Sequence, residues 1–387
     1  MKPKKVCVVT GSSAEFGPLK ILIRKIIASE KLSLLLLVTG MHLLEKFGKT
    51  IEQIEKEEFP ITKIIPMYDE NDNSSTYLGK AVGKAIGEFT EVLSELKPNI
   101  LVVIGDRFES LAAAIAASTL SIPIAHIQGG DSVETGQVDE QIRHALTKFS
   151  HIHFTATKQS AERVRLLGEE SWRIHLVGAI AMDMIYQENF LTIDDLRKNL
   201  GLDISEKIIV CVQHPYVYEA HKAGKQMHLT LQVLKDLKLQ TVIFYPNNDP
   251  GVNLIIQEIE INRKVLNFRI FKRVDRKIYL SLLKHADLLI GNSSCGLIES
   301  PAFKLPTVNI GDRNKGRQSA ENVINVQHDY ALIKEAILKA ISADFKNLCQ
   351  KVKNPYGDGV ASDKIAKILE SLDINEKFIR KKLTYIV

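Results

Sequence analysis

The residues able to do chemistry gather where apolar runs end. Residues 290–317 read IGNSSCGLIESPAFKLPTVNIGDRNKGR, an apolar run followed by Asn292-Ser293-Ser294-Cys295-Gly296 and a helical stretch beginning near Leu297. Free backbone N–H groups and two hydroxyls at a helix N-terminus suit an anion, so this segment is expected to cradle a diphosphate. Glu299, one turn further on, can accept hydrogen bonds from ribose hydroxyls, and Arg313 can fork onto phosphate. The plainer alternative is that Ser293 only caps the helix and Gly296 eases packing. The density of polar groups at two successive run ends favours a site.

A second group is Gly105-Asp106-Arg107-Phe108-Glu109, in which Asp106 is either a helix N-cap or a catalytic carboxylate. A third spans residues 126–144, HIQGGDSVETGQVDEQIRH. Asp131, Glu134, Asp139 and Glu140 fall there in one loop flanked by His126 and His144, which is material for general acid–base work or simply a solvated loop. Gly129 and Gly130 favour function, because adjacent glycines let backbone approach a ligand closely. His214 and His42 follow further apolar runs, where a lone histidine is more often structural.

Other chemistries are excluded. No GxxxxGK[ST], HExxH or GxSxG occurs, which argues against a P-loop NTPase, a zincin and a serine hydrolase. Cys7, Cys211, Cys295 and Cys349 lie far apart without a CxxC pair, so neither a zinc ribbon nor a disulfide framework is indicated, and a reducing setting fits. The formal charge of +5 is scattered and aromatics are 6% without a ladder, which argues against a nucleic-acid partner. The apolar runs at 6–9 and 32–38 are far below the roughly 20 residues that span a bilayer, so a soluble cytoplasmic protein without a membrane partner is expected.

The elements that must hold these groups form a repeated pattern. Strands are expected at 6–11, 34–40, 100–106, 123–130, 151–157 and 174–178, with helices at about 17–28, 74–95, 108–119, 138–149 and 158–167. A second set of strands is expected at 208–215, 240–246, 268–272, 287–294 and 306–312. A chain of 387 residues exceeds one comfortable core, so the sequence predicts two α/β domains, each a Rossmann-like, doubly wound parallel sheet. The first is expected over 1–189 and the second over 190–365, with a final helix over 366–387 packing back on the first. Two such sheets facing a cleft would direct their carboxyl strand ends, and the groups above, into it.

The segments TGSSAEFGPL, VTGMHLLEKFGKT, GDRFES, HIQGGDSVETGQVDEQIRHALTKFSHIHF, QHP, YPNNDPG and GNSSCGLIESPAFKLPTVNIGDRNKGR together resemble the UDP-N-acetylglucosamine 2-epimerase family, most closely its hydrolysing branch. The resemblance covers about 6–317 and implies a GT-B-like pair of domains closing over a UDP-sugar. It implies removal of the proton on the acetamido-bearing carbon, elimination of UDP to a 2-acetamidoglucal, and water addition to give N-acetylmannosamine, with no redox cofactor and no metal. It also implies UDP contacts at Arg107, Ser293, Ser294, Glu299 and Arg313, catalytic groups at Asp106, Asp139 and His214, and sugar contacts at His42, Gly130, Arg143 and His144. A homodimer or homotetramer is expected on the same ground.

Two departures bear on this. Ser13 stands where the family's TGxRAE carries an Arg, which removes a guanidinium from the nucleotide site. Gln128 stands where many members carry Glu or His; an amide cannot act as a base, so any such role passes to Asp131, Asp139 or His214. The leading expectation is a hydrolysing UDP-GlcNAc 2-epimerase serving sialic-acid-type biosynthesis. A 2,4-diacetamido-trideoxyhexose substrate on the legionaminic-acid route, a non-hydrolysing epimerase, a GT-B glycosyltransferase and an inactive UDP-sugar-binding protein are the alternatives.

Overall fold

The computed structural model describes residues 2–384 apart from 46–47, 70–73, 75, 134–137, 204 and 248. The chain separates into two compact units, one built mainly from residues up to Tyr186 and again from Tyr356 onward, the other from Gln187–Pro355.

The first unit holds a seven-stranded sheet of β1 (Lys4–Thr10), β2 (Leu32–Thr39), β3 (Ile61–Ile65), β4 (Ile100–Ile104), β5 (Ile124–Ile127), β6 (Ile152–Thr155) and β7 (Ile174–Leu176). Their order is β3-β2-β1-β4-β5-β6-β7, with every neighbouring pair parallel. Alternate residues serve opposite faces. Val6 and Val8 pack with Phe16, Leu19 and Ile23 of helix Ser13–Ala28. Cys7 and Val9 pack with Phe89 and Leu93 of helix Tyr77–Leu96 and the alanines of helix Phe108–Thr119. Coverage on both faces explains the unbroken apolar run of β4, whose five residues are all buried.

The second unit holds β8 (Ile209–Val212), β9 (Thr241–Phe244), β10 (Phe268–Phe271), β11 (Leu288–Gly291), β12 (Thr307–Ile310) and β13 (Val323–Val326), ordered β10-β9-β8-β11-β12-β13 and again parallel. Ahead of β8 in the chain, helix Ile193–Leu200 opens on a Thr192/Asp195 capping box, and its Leu196 and Leu200 enter this unit's core.

Two strands were not expected from the sequence, β3 and β13. Both lie at sheet edges, where half-exposed residues break the apolar run that marks the central strands. The single helix expected over 366–387 is corrected to two, Ala361–Ser371 and Glu376–Ile379. The first has no capping side chain at Val360; buried Asp183 accepts the N–H groups of Ala361 (2.9 Å) and Ser362 (2.6 Å) instead. Ile365, Leu369 and Phe378 complete the core under helix Ser13–Ala28. Beyond them Lys381 donates to the carbonyls of Thr147, Lys148 and Ser150 and pairs with fully buried Glu169 at 2.7 Å. Among the described residues no helix is long and apolar enough to cross a membrane.

Candidate functional site

In the first unit, Gly105 adopts φ +70 and turns the chain off β4, bringing Asp106 and Arg107 to the sheet's carboxyl end. The capping position of helix Phe108–Thr119 is Arg107, without a capping side chain, so Asp106 is not the cap that its position also allowed. Its carboxylate pairs with Arg143. Arg143, 5% exposed, also donates to Glu140 (2.6 Å) and to the carbonyl of Asp131 (3.0 Å). Glu140 accepts from Ser132 (2.6 Å) and meets His144 Nε2 at 3.1 Å. Burial works against the charge on Arg143, but Asp106 beside it outweighs that and raises its pKa. One guanidinium thus fixes Asp106 and the loop carrying Asp131. Asp139 lies exposed in the first turn of helix Val138–Phe149, and Glu134 falls outside the described residues.

The glycine pair of this loop has a packing reason of its own. A side chain at Gly129 would meet His126 Nδ1 at 2.8 Å, and one at Gly130, φ +76, would meet the Ser160 carbonyl at 2.1 Å. The backbone here closely approaches the protein's own groups. Gln128 precedes them at φ +67, a left-handed conformation costing about 1 kcal/mol or more in a residue with a Cβ, while its N–H donates to the Phe154 carbonyl.

A second cluster was not read from the sequence. Glu15, 8% exposed, accepts the Gly11 N–H at 2.9 Å; its other oxygen lies 3.9 Å from Arg107. Arg107 is itself forked onto Glu109, which is 1% exposed, at 2.8 and 3.2 Å. Burial first, and the Glu109 carboxylate second, push the pKa of Glu15 up to about 8. The expected nucleotide contact Arg107 is therefore already largely neutralised. Ser13 is exposed at the start of its helix. His42 is fully buried, with its ring nitrogens 3.0 Å from Thr10 and 2.8 Å from Thr50; burial holds its pKa down to about 4. His126 is similarly buried against the Gly105 carbonyl at 2.8 Å.

In the second unit, His214 follows β8. Its Nδ1 accepts the Asn247 N–H at 3.0 Å, which places the proton of the neutral ring on Nε2. Burial and then the Arg313 charge depress its pKa to about 4, so the neutral ring is the resting form. The chemical consequence is a hydrogen-bond donor at Nε2, not a ready base. Arg313 stands 3.5 Å from Asp249 and donates to the Asn292 carbonyl at 3.3 Å.

At the expected diphosphate cradle the helix is short. Helix Cys295–Ile298 has four residues before the 3₁₀ turn Ser300–Phe303, too few aligned peptides for a sizeable dipole. Ser294 caps it without a side-chain bond, and Ser293 Oγ accepts from Cys295 Sγ at 3.1 Å, so both hydroxyls remain able to donate. Gly296 is a packing glycine, since a side chain there would lie 2.9 Å from Thr307. Glu299, 9% exposed, holds Arg276 at 2.7 Å through one oxygen, while the other is buried without a partner. A buried carboxylate oxygen with an unused acceptor suits a hydroxyl donor from a ligand. Arg276 carried no motif by which the sequence would reveal it.

Two parallel sheets, one in each unit, each covered by helices on both faces, define a protein of the two-sheet α/β class. The chain belongs to the UDP-N-acetylglucosamine 2-epimerase family, whose model matches residues 24–370. It is 35% identical over 99% of its length, and 100% of the other's, to UDP-N,N'-diacetylbacillosamine 2-epimerase (hydrolyzing) of Legionella pneumophila. It is 36% identical over 89% of its length, and 90% of the other's, to GDP/UDP-N,N'-diacetylbacillosamine 2-epimerase (hydrolyzing) of Campylobacter jejuni. The crystal structure of UDP-GlcNAc 2-epimerase from Neisseria meningitidis bound to UDP-GlcNAc shares the fold, with TM-score 0.80 at 20% identity over 94% of this chain and 99% of that one.

Proposed function

We propose that the protein is a hydrolysing 2-epimerase of UDP-N,N'-diacetylbacillosamine, releasing UDP and a free 2,4-diacetamido-2,4,6-trideoxymannose. The observation that carries this is near-full-length similarity to two hydrolysing diacetylbacillosamine 2-epimerases at 35% and 36% identity. UDP-GlcNAc, the leading expectation from the sequence alone, becomes the second reading. It is favoured by the family model and by 30% identity over 88% of the chain to the UDP-N-acetylglucosamine 2-epimerase of Neisseria meningitidis.

In the proposed reaction a carboxylate takes the proton from the carbon bearing the 2-acetamido group. The electron pair left behind expels UDP, and water adds across the resulting glycal to return a free sugar. The base candidates are Asp106, paired with Arg143, Asp131 on the adjoining loop, and Asp139 in the first turn of helix Val138–Phe149. Arg143 and His144 hold that loop and, with Gln128 and Gly130, form the sugar side. In the second unit the neutral His214 donates its Nε2–H to the departing diphosphate, beside Ser293, Ser294 and Arg313, and Glu299 takes the ribose hydroxyls. Arg313 is the stronger candidate for the phosphate charge, because Arg107 is forked onto Glu109.

The test is parallel incubation with UDP-N,N'-diacetylbacillosamine and UDP-GlcNAc in deuterated water, followed by proton NMR. Faster release of UDP from the first, with deuterium at C2 of the free sugar, is expected. Faster turnover of UDP-GlcNAc would reverse the order of the two readings, and no UDP release from either would overturn both.

A further inference from the structure

We infer that Asn292 and Asn314 are positioning residues that lock His214 and Arg313 into one rigid group at the carboxyl ends of β8, β11 and β12. This rests on the reading of His214 and Arg313 as substrate-facing groups.

The side chain of Asn292, 2% exposed, accepts the N–H of His214 at 2.6 Å and donates to the carbonyl of His214 at 2.9 Å. This reciprocal pair extends the β8–β11 ladder, which in regular form ends at the Val212/Gly291 pairing, by two more residues. The approach is close: Gly291 has φ +131, and a side chain there would meet the Val212 carbonyl at 2.1 Å. His214 therefore stands on braced backbone at a place where strands usually fray into loop.

The main-chain carbonyl of Asn292 is a second hub. It accepts from Asn314 Nδ2 at 2.9 Å and from Arg313 at 3.3 Å, so the loop bearing Arg313 is fastened to the residue that fastens His214. Because a backbone carbonyl only accepts, the orientation of the Asn314 amide is fixed. Its nitrogen is shared with Asn309 Oδ1 at 3.0 Å, and Asn309 in turn donates to Asn325 at 2.9 Å. Asn314 is 3% exposed and Asn309 is 5% exposed, and the remaining oxygen of Asn314 has no partner. Buried amides with one unmet group cost stability that aliphatic residues of similar size would not. Such a run is what a requirement for position, and not for packing, would retain.

The test joins kinetics to a substrate-free readout. Asn314→Leu is expected to lower kcat by about 10- to 100-fold, the range a displacement near 1 Å produces. In a His214→Ala background the same substitution is expected to lower it by a smaller factor than in the wild type, since of the two groups it positions only Arg313 is left. Equal losses in both backgrounds would overturn the inference. Independently, the imidazole of selectively labelled His214 is followed by NMR titration in the substrate-free protein, with Arg313 and Asp249 as its charged neighbours. Its titration is expected to move toward the ordinary histidine range in both Asn292→Ala and Asn314→Leu. An unmoved titration and tautomer in both variants would overturn positioning, whatever turnover does. A normal kcat in His214→Ala with a moved titration would instead overturn the assignment of His214 to the reaction and leave the brace standing.

Discussion

Replacing Glu15 by Gln should reverse the way the first unit responds to pH. In the folded chain Glu15 keeps its proton up to about 8, because burial and the neighbouring Glu109 both disfavour a second negative charge beside a single Arg107. In the unfolded chain the same group releases its proton near the ordinary glutamate value of 4.5. The folded state therefore binds more protons across this window. The contribution of the group is fully present below 4.5 and is lost as pH rises through about 8. At roughly 1.4 kcal/mol per pH unit, the loss is on the order of 3 kcal/mol by pH 7 and about 5 kcal/mol at most above pH 8. Glutamine keeps an oxygen for the Gly11 N–H and has no charge to lose, so the variant should match the wild type at pH 5 and exceed it at pH 8.5. The chain's one tryptophan, Trp172, lies in this unit, covered by Arg173 at 4.1 Å and beside Phe378, so urea unfolding followed by its fluorescence reports the right part of the molecule. Parallel stability curves for the two proteins between pH 5 and 9 would refute the reasoning.

Two further outcomes are expected. Gly130→Ala puts a Cβ 2.1 Å from the Ser160 carbonyl in a left-handed conformation, and should cost about 3 kcal/mol or more by urea unfolding read at Trp172. Arg143→Met strands Asp106 and Glu140, whose side chains are 29% and 20% exposed; solvent access reduces the loss expected of a fully buried pair to about 2 kcal/mol, while turnover, measured by UDP release, should fall about 100-fold.

The sequence made the central strands and their helices plain because each strand is covered on both faces and reads as an apolar run. It also placed His214, Ser293 and Arg313 after strand ends, since the turn residues after each run mark where a strand stops, and Glu299 one helical turn beyond. What it concealed was set by tertiary packing. Glu15 carries no mark in the sequence, and only the fold buries it beside Gly11, Arg107 and Glu109. Gly129 and Gly130 carried the signature of close approach, but a signature cannot name what approaches. Arg276 lies in no motif, and Asn314 lies inside the 290–317 segment without a chemistry that singles it out; both become visible only through the Glu299 carboxylate and the Asn292 carbonyl that they serve.

The return of the chain through Asp183 to Ala361 has a consequence for how the molecule is made. Ile365, Leu369, Phe378 and Lys381 are synthesised after all of Gln187–Pro355, yet they finish the core and the ion-pair network of the unit that holds β1. The intervening residues, Gln187–Pro355, hold nearly all of the second unit in one uninterrupted length. Domains fold as units once their residues are available. The half begun second is thus the half that can close first, while the older half waits with the apolar face of helix Ser13–Ala28 uncovered until Ile365, Leu369 and Phe378 have been made.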